Sequence, residues 1–171
     1  MISKKLEKTI NSQIEKEGYS SNLYLAMASW AEQEGFEGIS QWLYAQASEE
    51  NMHMLKFVKY LNERGGKAII PAFKLPPDKF KSPKEMFDQV LHHEEFITKS
   101  INEIVAQCIE EKDYTTQNFL QWYVNEQIQE ERSARAIIDK LKMLGPTNLY
   151  LFDRDIMSMR AAAAAADVAP A

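Results

Sequence analysis

Glu50 and His53 stand three residues apart in the run Ala47-Ser48-Glu49-Glu50-Asn51-Met52-His53. On a helix, residues at i and i+3 share a face, so this carboxylate and this imidazole can reach one cation together. Alone the pair is a weak signal, because Glu and His are common on helix surfaces. Three other stripes strengthen it. Steps of three and four give Leu6, Ile10, Gln13, Glu17, Ser21, Tyr24 and Ala28 in a first segment, and Ile39, Leu43, Gln46, Glu50, His53, Phe57 and Leu61 in a second. They give Phe87, Leu91, Glu94, Thr98, Ile101, Val105 and Cys108 in a third, and Leu120, Tyr123, Gln127, Glu130, Ala134, Ile137 and Leu141 in a fourth. Each apolar stripe is interrupted near its middle by acid, amide or imidazole.

The interruptions fall at one height. In an antiparallel hairpin, residues equidistant from the turn are level. Glu17 and His53 are equidistant from Gly35, and Glu94 and Glu130 from position 112, beside Asp113. An offset of 77 carries Glu17, Glu49, Glu50 and His53 onto Glu94, Glu126, Gln127 and Glu130, a functional pseudo-twofold in a chain whose register is otherwise weak. Carboxylates gathered at one buried level lose hydration and repel, at about several kcal/mol for each isolated charge. No Lys or Arg lies on the four stripes near that level, so a bound cation is the economical partner. A Glu from each of two helices with a Glu-x-x-His is a di-metal carboxylate pattern of helical bundles. Oxygen donors with one imidazole suit iron or manganese better than thiolate-seeking metals.

Long segments rich in Leu, Ala, Glu, Lys, Gln and Met must position these residues, and none alternates with period two. The spacing predicts an all-α fold. Helix A runs from about Ser3 to Glu34, and helix B from about Ile39 to Arg64, stopped by Gly65-Gly66. Helix C starts at Ser82-Pro83-Lys84-Glu85, a capping Ser, Pro at the first position and Glu at N3, and runs to about Glu111. Helix D spans about Tyr114 to Leu144, ended by Gly145-Pro146, and a short fifth helix follows from about Asn148 to Met159. The segment 65–82, with Pro71, Pro76 and Pro77, is long enough to travel the length of a helix. Its Ile69, Ile70, Phe73 and Leu75 suggest that it packs. Short A–B and C–D links make antiparallel hairpins, and the long B–C crossover then makes B and C parallel. That is a four-helix bundle with one crossover. Residues 1–159 form one domain. The tail 160–171, six alanines and then Asp-Val-Ala-Pro-Ala, reads as a frayed, disordered extension or an appended segment.

Composition narrows the function. At 171 residues the chain is one domain of ordinary size, with 25 Asp plus Glu against 20 Lys plus Arg and a net charge of −5. That balance disfavours nucleic acid and anionic membrane surfaces as partners. No apolar run approaches the about 20 residues of a membrane span, and Met1 to Gln13 lacks the apolar stretch of a signal peptide. The cytoplasm is the expected compartment. A single cysteine, Cys108, excludes an internal disulfide framework and a thiolate metal knuckle. Cys108 reads as a small buried hydrophobe, and Trp30, Trp42 and Trp122 as packing residues. His92 and His93 read as solvated or interface residues. Tyr24 stays open between a packed tyrosine with a satisfied hydroxyl and a redox residue.

Over residues 1 to about 159 the chain resembles the bacterial non-haem ferritins. The resemblance is carried by EKEGYSSNLYLAMA around Glu17 and Tyr24, ASEENMHMLKF around Glu49, Glu50 and His53, HHEEF around Glu94, and FLQWYVNEQIQEE around Glu126 to Glu130, with LYLFDRDI resembling the family's fifth helix. It implies a ferritin-like bundle in a homo-oligomeric cage of 24 subunits. Such a cage oxidises Fe(II) with dioxygen or peroxide and stores the ferric mineral. By position, Glu17, Glu50 and His53 would hold one iron. Glu50, Glu94 and Glu130 would hold the second, with Gln127 close by and Tyr24 beside the centre. A third iron would use Glu49, Glu126 and Glu130. The family's further acid is replaced by Gln129, a departure that leaves the third site weaker or absent. No haem is expected, because Asn51 follows Glu50 where bacterioferritins carry a ligating Met, and helix D has no histidine. Rubrerythrins would need a cysteine-bearing iron domain, and mini-ferritins lack the fifth helix. Two other readings are a di-iron oxidase acting on an organic substrate, which a single ligand histidine disfavours, and a helical scaffold whose polar layer fixes register.

Overall fold

The computed structural model describes the backbone of residues 1–168 and the side chains of residues 1–161. Five helices carry the fold: α1 Lys4–Gln33, α2 Glu37–Glu63, α3 Pro83–Glu111, α4 Tyr114–Leu144 and, after a 3₁₀ turn at Pro146–Asn148, α5 Leu149–Val168. Among the described residues there is no strand.

Local chemistry sets the boundaries. The Ser3 hydroxyl accepts from the Leu6 amide at 3.0 Å, Ser82 from Glu85 at 3.2 Å, and the Asp113 carboxylate from Thr116 at 3.0 Å, so three helices begin with a side chain on an otherwise orphaned N–H. The α3 helix ends at Lys112 in the left-handed conformation, φ 57°. The second helix is different. It begins at Glu37, two residues before the expected Ile39, and Phe36 offers its first turn no side-chain bond. Its cap comes from α5: Asp153 accepts from Gly38 N at 3.1 Å and Ile39 N at 2.8 Å. A Cβ on Gly38 would lie 1.8 Å from the Asp153 carbonyl oxygen, so glycine is what lets the two backbones meet.

Cross-links fix the topology. Ser3 bonds Glu111, Thr9 bonds Gln107 and Ser20 bonds His93, so α1 and α3 run antiparallel. Gln46 bonds Glu130, Tyr60 bonds Thr116, and Arg64 bonds Asp113, so α2 and α4 run antiparallel. The α1–α2 pair is a hairpin, and α2 and α3 are therefore parallel across the diagonal, with the segment after α2 crossing the length of the bundle.

That crossover departs from expectation. Ile69, Ile70 and Leu75 are 57%, 60% and 88% exposed, so they do not pack within the subunit. Phe73 does: a Cβ on Gly18 would fall 2.3 Å from its ring. Phe80, not anticipated, is buried with its ring 5.5 Å from that of Trp30. The fifth helix also runs past the expected end at Met159. The alanines after Arg160 have the highest helix propensity and continue it to Val168. Of the tail segment 160–171, positions 169–171 lie outside the described residues.

The core is two apolar clusters separated by a polar floor. One end is built from Leu6, Ile10, Phe57, Leu61, Ile104 and Tyr123 among others. The other includes Met27, Trp42, Leu43, Phe87, Ile137 and, from α5, Phe152 and Ile156. Each large apolar side chain buried this way contributes about 1.5–3 kcal/mol. Cys108 is buried as expected, and burial pushes its thiol up to about 11. Among the described residues, no helix is long and apolar enough to cross a membrane.

Candidate metal centre

Between the two clusters lie Gln13, Glu17, Gln46, Glu50, His53, Glu94, Gln127 and Glu130, all buried. The four helices put them there because each polar residue occupies the inward phase of a stripe that is apolar above and below. Donor atoms of Glu17, Glu50 and His53 all lie within 4.8 Å of one another. His53 Nδ1 is 3.4 Å from Glu50 Oε2. The Tyr123 hydroxyl donates to the His53 carbonyl at 2.8 Å and ties α4 to that turn of α2.

Glu94 and Glu130 face the same space but complete no trio at 4.8 Å among the described residues. Their carboxylates are held by local donors. Glu94 accepts from the Tyr24 hydroxyl and, at 3.1 Å, from Gln127 Nε2. Glu130 accepts from Gln46 Nε2 at 2.8 Å. Across the layer, Gln13 Nε2 donates to Glu17 Oε1 at 2.7 Å. A second trio, Glu49, His53 and Glu126, also has its donor atoms within 4.8 Å, with both carboxylates half-buried. His53 is thus common to an inner and an outer set. The resemblance puts Glu130 with Glu49 and Glu126, and all three line one cavity.

Electrostatics point the same way. Burial raises the Glu50 carboxyl well above the ordinary value, and the charges of Glu94 and Glu17 add to it. Burial raises Glu130 well above it too, with Glu94 and Glu50 contributing. Glu17 and Glu94 are raised by burial, and the charge of His53 offsets part of this in each. The Tyr24 phenol is raised well above its usual range by burial and by Glu94, so it stays protonated and donates. Among the described residues, none of these four carboxylates forms an ion pair with Lys or Arg. A cation at their centre would offset both the burial and the repulsion, so the donor set fits an oxygen-seeking divalent ion with one imidazole.

Other parts of the site were not singled out from sequence. Gln13 and Gln46 lay on the stripes as amides without a stated task. In the structure each directs its amide group at a carboxylate. Lys16 and Ser100 support Gln13: Lys16 Nζ donates to Ser100 Oγ at 2.5 Å, and Ser100 donates to Gln13 Oε1 at 2.6 Å. Arg160, from the fifth helix, bonds Gln46 and Glu49. It borders a cavity of about 150 Å³ also lined by Glu49, Glu126, Gln129 and Glu130. Of the two alternatives open for His93, full solvation does not hold: it is half-buried, its Nε2 lies 2.7 Å from the Ser20 hydroxyl, and burial lowers it to about 4, so it is neutral near pH 7. His92 is exposed. Trp122 is 39% exposed, with its ring 5.3 Å from His53 and Lys56 Nζ 3.2 Å from its ring centre.

Residues 7–144 match the Ferritin-like domain family. A probable bacterial non-heme ferritin-like protein of Haemophilus influenzae is 47% identical over 91% of this chain and 96% of its own length. The bacterial non-heme ferritin of Campylobacter jejuni is 45% identical over 93% of this chain and 96% of its own. Among solved structures, an open-pore ferritin from the hyperthermophilic archaeon Archaeoglobus fulgidus superposes with a TM-score of 0.89 at 42% identity, covering 91% of this chain and 96% of that one.

Proposed function

Because the chain belongs to the ferritin-like domain family and is of the bacterial non-haem ferritin type, we propose that it stores iron and acts as a ferroxidase. It oxidises Fe(II) with dioxygen or peroxide at an intrasubunit di-iron centre and mineralises the product inside a homo-oligomeric cage of 24 subunits. The observation that carries this reading is the buried layer of Glu17, Glu50, Glu94 and Glu130 around His53, ionisable groups without a Lys or Arg ion pair among the described residues.

Iron is the substrate. Glu17, Glu50 and His53 take one Fe(II), and Glu50, Glu94 and Glu130 take the other, with Glu50 between them. Fe(II) displaces the protons that burial would otherwise keep on these carboxyls. The oxidation removes one electron from each iron, and the oxidant accepts two. Dioxygen with two protons becomes hydrogen peroxide, and peroxide with two protons becomes two waters. Carboxylate oxygens stabilise Fe(III) more than Fe(II), which lowers the potential and drives the step. The Tyr24 hydroxyl holds Glu94, and Gln127 holds the same carboxylate from α4, so that ligand is oriented before metal arrives. The apolar clusters on either side keep bulk water from the layer. A third iron would use Glu49 and Glu126 with Glu130, weakened by Gln129. No haem site is assigned.

The surface agrees with self-association. Leu25, Tyr44, Met52, Leu55, Ile69 and Ile70 are large apolar residues left exposed on α1, α2 and the crossover. The proposed compartment is the cytoplasm. One sample tests the reading: aerobic Fe(II) is added, and absorbance, particle size and electron micrographs are followed together. A hollow particle that fills with a dense core is expected. A monomer or dimer that consumes no Fe(II) would overturn the proposal.

A further inference from the structure

Arg160 stands outside the four stripes, yet its guanidinium ends beside the metal layer. Nη1 donates to Gln46 Oε1 at 2.8 Å and Nη2 to Glu49 Oε2 at 2.5 Å. Its Cζ lies 5.5 Å from the centre of the Trp42 ring, which guides the side chain inward from α5. The side chain is 25% exposed, so the charge is shielded from much of the solvent.

Two consequences follow from chemistry alone. Arginine has donors and no acceptor, so the atom of Gln46 that faces it must be the carbonyl oxygen. The NH₂ group then faces inward, where it donates to Glu130 at 2.8 Å and lies 3.5 Å from Glu50 Oε1. Arg160 thereby selects the orientation in which Gln46 supports a carboxylate rather than opposing it. At the same time its charge rests on Glu49, a member of the outer trio with His53 and Glu126. A tethered cation beside that trio competes with any divalent ion that approaches it.

We propose that Arg160 is a built-in counter-cation of the outer carboxylate set: its guanidinium holds the charge of Glu49 that a third metal ion would otherwise take, and it positions Gln46 toward Glu130. The outer set then accepts a divalent ion only when Arg160 withdraws. Gln129, neutral on the same cavity, is consistent with this: the position that would add an acid does not, and a base is supplied from α5. Arg160 is a positioning and specificity residue, and it touches no reacting atom. The inference rests on the di-iron reading for the identity of the inner ions.

The test is anaerobic titration of the assembled full-length protein with Co(II), read by its d–d absorption and by calorimetry, with no turnover involved. The wild type is expected to bind two Co(II) per subunit at the inner set. Arg160→Met keeps an alkyl stem over Trp42 and removes the charge. It should add a third step whose affinity exceeds any third step of the wild type by roughly tenfold or more. The double variant Glu49→Gln with Arg160→Met should lose that step. Equal third steps in wild type and Arg160→Met, or a gain that survives Glu49→Gln, would overturn the proposal. Should Arg160→Met fail to assemble, Arg160→Lys decides: a cation without the two-pronged grip should give a smaller gain of about twofold to fivefold, and an unchanged third step overturns it. A wild type that binds no Co(II) at the inner set breaks the di-iron reading instead. The Glu49-dependent gain is still read separately.

Discussion

Gln13 and Gln46 do the same work on opposite sides of the metal layer, by different means. Each presents its NH₂ group to a carboxylate and has its carbonyl oxygen held from behind. Behind Gln13 the support is the Ser100 hydroxyl, itself held by Lys16, and every member lies on α1 or α3. Behind Gln46 the support is Arg160, which belongs to the last helix. The first arrangement exists once the bundle exists. The second also requires α5 to dock. The difference teaches that the centre has one side fixed by the bundle core and one side that reports the state of the terminal helix.

The largest effect is expected where neither support can compensate. Glu50→Ala or His53→Ala removes a shared ligand and should lower the initial rate of Fe(II) oxidation by more than about 100-fold in stopped flow, with the particle intact. An unchanged rate would refute the ligand assignment. Next, Gly38→Val should drive α5 away, because its Cβ would meet the Asp153 carbonyl at 1.8 Å. A loss of about 3 kcal/mol in stability is expected; Co(II) binding at the inner set should weaken as in Gln46→Leu, while the third step should gain as in Arg160→Met. Gln13→Leu should weaken binding by about 10-fold to 100-fold without disturbing α5. If Gly38→Val perturbs binding no more in the presence of Gln46 than in its absence, the two sides are not distinct in the way described.

A third expectation concerns pH in the metal-free protein. The folded-state carboxyls of Glu50 and Glu130 are raised above the ordinary value, so the folded state holds protons that the unfolded chain releases. Their contribution is present below about pH 4.5 and is lost as pH rises through the folded values. Glu50→Gln should therefore stabilise the metal-free protein at neutral pH and flatten the fall of Tm as pH rises above about 4.5. A parallel shift with no change of slope would contradict it. The smallest effect is expected from Gln129→Glu. With Arg160 in place, the added acid should raise third-step Co(II) affinity by only about threefold, and by more in the Arg160→Met background.

Much of this was legible in the residues. The phase of Glu17, Glu50, His53, Glu94, Gln127 and Glu130 along stripes that are apolar on both sides forces them inward, and turn symmetry levels them. The capping residues Ser3 and Ser82 sit where they do because a helix start needs a side-chain acceptor, and Asp113 does the same for α4, a role that the sequence reading did not assign. Other parts depend on tertiary geometry that periodicity does not encode. Arg160 follows the last apolar turn of α5 and precedes an alanine run, and nothing local says that its guanidinium reaches α2. The start of α2 was misplaced because its cap lies on Asp153. Ile69, Ile70 and Leu75 are exposed rather than packed within the subunit, and hydrophobicity alone does not say which surface an apolar side chain meets.

The bond from Asp153 to the first turn of α2 also has a consequence in time. Its partners, Gly38 and Ile39, are separated from it by 115 and 114 residues. A chain growing from its N-terminus therefore makes α1 and most of α2 long before the carboxylate that finishes α2 is synthesised. The first hairpin waits with one end frayed until α5 is made and closes it.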